Sequence, residues 1–203
     1  MGMLTLLSLW AAVVFSAILV LLHFLKPELD PSWRMISEYE NGRWGVLMRL
    51  AFACLSVSCF ALAAIFWQHV WTFADLLLML AASGPLIAAI FAPDPIITPR
   101  SSKTNTGRWH DFGGILFIFG FPVAVTLITV SAGDPMFAPL HSWLLWLLVM
   151  VWIGLLTFFV ALFYYRKTGS PNPDMKIGWP NRLLVFTYLT WIILMAATLL
   201  ERT

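Results

Sequence analysis

Charge is what this sequence has least of. Lys, Arg, Asp and Glu together make up 11% of its 203 residues, against about a quarter in an ordinary soluble domain. So few charges exclude a soluble domain of this size, which could not cover its surface with polar groups. Cysteine is nearly absent too. Cys54 and Cys59 stand five residues apart in one apolar run, where a single helix cannot bridge them. That excludes a disulfide framework and leaves the redox compartment open. The chain has no N-x-[ST] sequon, no CxxC and no Gly-rich phosphate loop, so none of the glycan, thiol-redox or nucleotide signatures applies.

What remains is apolar: 61% of the residues. The apolar residues fall into six runs, 4–25, 46–66, 74–92, 112–132, 142–164 and 183–200. Each is about 18 to 23 residues long, enough for a helix to cross roughly 30 Å of hydrocarbon. Barrel strands would be half as long and would alternate apolar with polar. The expected fold is all-α: one domain, 1–203, forming a bundle of six transmembrane helices, since in lipid each segment must satisfy its own backbone. The first run is read as a helix rather than a cleaved signal, because Met1-Gly2-Met3 carries no positive charge and the run is long for a signal.

Basic residues set the expected orientation. Eleven of the twelve (Lys26, Arg34, Arg43, Arg49, Arg100, Lys103, Arg108, Arg166, Lys167, Lys176 and Arg182) lie in or beside the first, third and fifth loops, and only Arg202 lies opposite. The positive-inside rule then predicts a multi-pass cell-membrane protein with the loops at 26–45, 93–110 and 165–181 in the cytoplasm and both termini outside.

"GRW" at 42–44 and 107–109 and "IGW" at 177–179 each precede an even-numbered run. Three successive hairpins would produce this pattern. Interfacial anchoring by Trp44, Trp109 and Trp179, with arginine meeting lipid phosphate, also accounts for it. Close helix contacts are expected at Ala12 and Ser16, Ser56 with Ala64, Gly84 and Ala88, and Gly113-Gly114, with kinks at Pro85 and Pro122. In "DPSWRMISEYENGRWG" Asp30 and Pro31 predict the start of a short helix lying in the interface, with Trp33, Ile36 and Tyr39 on one side.

Several ionisable residues share one depth at the predicted cytoplasmic end: Glu38, Arg49, Asp94, His110 and Asp111. Arg49 stands one turn inside the second run. If it faces the bundle it needs a carboxylate, and Glu38 and Asp94 are the candidates. His110 could act as a general acid/base oriented by a carboxylate such as Asp111, with Arg49 holding a phosphate. Ser37 is the one nucleophile in reach, so whether the protein is an enzyme stays open. The plainer reading is that His110 and Asp111 only begin a helix, where an aspartate suits the dipole. A metal would need His23, His110 and Asp94 together, and no two of these show a metal-binding spacing. His69 and His141 lie at the other end, so no metal is assigned, and no cofactor is.

The strings "MISEYENGRWGVLMRLAF", "IFAPDP" and "HDFGGILFIFGFPVAV" together resemble the membrane family called domain of unknown function 998. That family is similar in layout to the Frag/DRAM/Sfk group of six-helix proteins. The resemblance implies a six-helix membrane fold and, by analogy with the wider group, a role connected with lipids. Three readings follow. The first is a protein that binds or processes a lipid headgroup or other amphiphile at the cytoplasm-facing polar site. The second is an accessory subunit packed against partner membrane proteins, in keeping with 11 Trp and 16 Phe. The third is a transporter, ranked last because no ionisable residue is read at the midplane. The expected partners are membrane lipids and other membrane subunits, not nucleic acid.

Overall fold

The computed structural model describes residues 2–67, 72–130, 141–168, 174 and 176–201. Among the described residues six α-helices form: α1 (Gly2–Leu25), α2 (Gly45–Phe66), α3 (Thr72–Ile90), α4 (Asn105–Val130), α5 (His141–Thr168) and α6 (Gly178–Leu200). Short 3-10 turns occupy Ile36–Glu40 and Arg100–Ser102. All six helices are long and apolar enough to cross a membrane. The protein is a multi-pass membrane protein with an all-helical fold.

Two helices begin more than a turn before their apolar runs. α4 starts at Asn105 rather than 112, because Thr104 caps it: its Oγ1 accepts the Gly107 N–H at 3.0 Å, satisfying one of the free donors of a helix start. α6 starts at Gly178 rather than 183. Pro180 falls in its first turn, where a missing N–H costs no hydrogen bond. Hydropathy marks the lipid-crossing part of a helix, and the polar turns before it are helical as well.

Consecutive helices pack together, and α6 returns to α1 and also touches α2. α2 and α6 have 56% of their apolar windows buried, against 28% for α1 and 33% for α5. They are therefore the central helices. Between α4 and α6 the Phe121 ring stacks on Tyr188 at 4.8 Å and meets Trp191 edge-on at 5.6 Å. Pro122 cannot donate to the carbonyl of Ile118, four residues back. Tyr188 supplies the missing donor, with Oη giving its hydrogen to Ile118 O at 2.7 Å. A proline inside a membrane helix thus recruits a phenol from its neighbour.

The glycine contacts divide. Gly113 faces Gly84 so closely that a Cβ on Gly113 would lie 2.6 Å from the Gly84 carbonyl oxygen. Gly114 faces open space, contrary to the expectation that both would pack. Neighbouring residues on a helix are about 100° apart, so one seam takes only one of them. Ser56 is buried and donates to Ala82 O at 2.8 Å, joining α2 to α3; Ala64 is exposed.

The first loop also departs from expectation. Asp30 does not begin a helix: its Oδ1 accepts the Ser32 N–H at 2.8 Å in a local turn, the usual alternative to a cap for this side chain. The helical stretch is only the 3-10 turn at Ile36–Glu40. Ile36 and Tyr39 are buried in the bundle rather than laid along its surface.

Candidate functional site

The loop between α1 and α2 is drawn into the bundle by two basic side chains. Lys26, buried just past the end of α1, donates from Nζ to the carbonyls of Tyr39 (3.1 Å) and Asn41. Burial holds its ammonium below the usual lysine range. Arg182, in the second turn of α6, reaches further. Nε donates to His23 Nε2 (2.8 Å), Nη1 to the carbonyls of Pro31 (3.0 Å), Arg34 (2.7 Å) and Gly178 (3.1 Å), and Nη2 to Tyr39 Oη (3.0 Å). Since His23 Nε2 accepts, its Nδ1 carries the hydrogen and donates to Leu19 O at 2.7 Å. A neutral ring alone fits both contacts. Next to Arg182, the Asn181 Oδ1 accepts the Ile36 N–H at 3.0 Å. A Cβ on Gly178 would collide with the Pro31 carbonyl, so the loop lies directly on the start of α6.

Within this frame most of the predicted polar residues are occupied. Glu38 is buried; it accepts from Arg34 Nη1 at 2.7 Å, from the Met35 N–H at 3.2 Å and from the Ile96 N–H at 2.9 Å. It ties the first loop to the segment after α3. Asp94 accepts from both the N–H and the Oγ1 of Thr104, each at 2.9 Å, so it braces the cap of α4. The carboxylate sits against Gly107, where any Cβ would strike it. Asp111 is exposed and paired with Lys103. Trp44, Trp109 and Trp179 are all exposed at this end.

Arg49 and His110 converge on a different carboxylate. Glu40 has a side-chain exposure of 0%; its Oε1 is 3.0 Å from Arg49 Nε and its Oε2 is 3.6 Å from His110 Nδ1. Neither oxygen has a well-aligned hydrogen bond among the described residues. His110 Nδ1 gives its hydrogen to Phe91 O at 2.8 Å, which fixes the tautomer and leaves only a loose contact with Glu40. Burial pushes the Glu40 carboxyl up to about 7, outweighing the pull of Arg49 in the other direction. The Arg49 side chain is 47% exposed, and among the described residues only its Nε edge is engaged. The cluster therefore presents an open guanidinium edge above a buried carboxyl that exchanges its proton near neutrality.

Glu40 is absent from the set read off the sequence. The signal was its place two residues after Glu38 in "ISEYE". At three residues per turn, positions i and i+2 diverge by about 240°, so one acid turns to the loop and the other to α2. Trp44, at φ 68°, then reverses the chain and brings Gly45 against the Glu40 carbonyl, leaving no room for a side chain there. His23, considered above as a ligand, is engaged by Arg182 instead.

The model of the family described as "Protein of unknown function (DUF998)" matches residues 9–198. The chain belongs to that family. The match reaches into every helix and takes in the whole Glu40–Arg49–His110 cluster, so the cluster lies within the matched region. No curated protein and no solved structure matches the chain.

Proposed function

We propose that this family member binds the phosphate of an anionic membrane lipid at the end of the bundle that carries Glu40, Arg49 and His110, on the cytoplasmic side of the cell membrane. One observation carries the reading: Arg49 is held by its Nε edge against a buried carboxylate while about half of the side chain stays exposed. A guanidinium fixed in this way keeps its two terminal nitrogens for a phosphate, which it can bind in bidentate fashion. The other acids at this depth are engaged by Arg34, Thr104 and Lys103 and do not compete for it. The cytoplasmic placement rests on eleven of twelve basic residues lying at this end. If the bound lipid is also processed, Glu40 and His110 are the groups placed to move a proton.

Native mass spectrometry of the detergent-purified protein, titrated with phosphatidic acid or phosphatidylcholine, tests this. Wild type should retain phosphatidic acid in preference, and Arg49→Gln should lose that preference. Arg43→Gln should keep it, since Arg43 lies over the Trp44 ring at 4.9 Å. Equal retention of the two lipids by wild type, or equal behaviour of the two variants, would sink the proposal.

A further inference from the structure

We infer that Asp75 is a proton-binding site inside the bundle, at the end away from the Glu40–Arg49–His110 cluster. Asp75 lies in the first turn of α3. Its relative exposure is 0%, and neither carboxyl oxygen has a hydrogen-bond partner among the described residues. It is the only acidic residue inside any of the six apolar windows read from the sequence.

Its surroundings follow from the helix contacts. Ser56 of α2 bonds to the Ala82 carbonyl, so the Ala82 line of α3 faces α2. Asp75 lies seven residues back on that line, two helical turns away. In an antiparallel pair the same register places it level with Ala63, between Leu62 and Phe66, all three fully buried. α3 packs against α2 and α4. The ionisable residues on those helices are Arg49, Cys54 and Cys59 on α2 and Arg108, His110 and Asp111 on α4. The charged ones and His110 stand at the opposite end, and Cys59, a turn from Ala63, brings no positive charge. His69 and Asp134 lie outside the described residues.

An ionised Asp75 would thus be a buried charge without a counter-ion among the described residues. Burying such a charge costs far more, even after relaxation, than a helix start returns to an anion. Burial wins, and the carboxyl keeps its proton. A metal cation is the other ligand a carboxylate can take, but Ca²⁺ or Mg²⁺ requires about six or more oxygens. No group of three or more metal-ligating side chains occurs among the described residues. A proton requires only Asp75. Its two oxygens, unpartnered among the described residues, are therefore a one-proton site set among buried apolar side chains.

The full-length protein in detergent at neutral pH provides the test, through the infrared difference spectrum of wild type minus Asp75→Asn. The expected result is the carbonyl stretch of a protonated carboxylic acid that is lost in the variant. Labelling supplies a second measurement on wild type alone: dicyclohexylcarbodiimide, which enters apolar interiors and attacks protonated carboxyls, should form an adduct at Asp75, and a water-soluble carbodiimide should not. Asp75→Asn should also keep its melting temperature within about 4 °C of wild type, the shift that roughly 1 kcal/mol gives in a chain of this size. Carboxylate bands in place of the acid carbonyl, or a much larger fall in melting temperature showing that the variant strands a cation, would overturn the assignment.

Discussion

Replacing Arg182 by alanine should unfasten the first loop from the bundle. The side chain makes five hydrogen bonds, to His23 Nε2, to the carbonyls of Pro31, Arg34 and Gly178, and to Tyr39 Oη. Four of them cross from α6 to α1 or the loop; the one to Gly178 stays within α6. Hydrogen bonds to a charged donor contribute about 1.5–3 kcal/mol each, but the five act as one network and do not add. Arg182 is also only partly buried, so water can replace some of the lost partners. About 3 kcal/mol is a reasonable net loss, near the lower range for breaking a buried ionic network. In a chain of this length that corresponds to a fall of roughly 6–12 °C in melting temperature. Arg182→Lys should recover little, because one ammonium cannot serve partners arranged around a planar fork. The assay is thermal unfolding in detergent, with exposed Arg100→Ala as the control. Limited proteolysis at 27–44 should accelerate in parallel. An Arg182→Ala protein that melts within 2 °C of wild type (under about 1 kcal/mol) with an uncut loop would refute the account.

The remaining predictions concern protonation and packing. Glu40 binds its proton more tightly folded than unfolded, since burial raises its carboxyl from the ordinary 4.5 to about 7. Its contribution is therefore fully present below about pH 4.5 and is lost as pH rises towards 7, a change on the order of 3 kcal/mol. Melting temperature should fall over that window in wild type and fall less in Glu40→Gln; identical slopes would remove Glu40 from the explanation. In α4, Gly113→Leu should cost several kcal/mol by forcing α3 and α4 apart, while Gly114→Leu should change stability by less than about 0.5 kcal/mol. Denaturation in a graded detergent series compares the two directly.

Membrane class, the number of helices and the end at which basic residues gather are all legible in the residue pattern. These follow from local constraints: a lipid-crossing backbone must satisfy itself, and about 20 apolar residues are needed to do so. It also marked the region of the polar cluster, naming Arg49 and His110. Which carboxylate they approach depends on packing, because Glu38 and Glu40 differ by the direction of a 3-10 turn that hydropathy does not register. The choice between Gly113 and Gly114 likewise depended on the azimuth of α4 against α3, and the partner of Tyr188 on which carbonyl Pro122 leaves free. The partner of His23 was likewise beyond the sequence: Arg182, 159 residues away, donates to its ring nitrogen. Asp75 is the one acid inside an apolar run, but its isolation could be known only once α2 and α4 were in place around it. Helix existence is written in runs of residues; side-chain partnership depends on rotation and register between helices, which no single run contains.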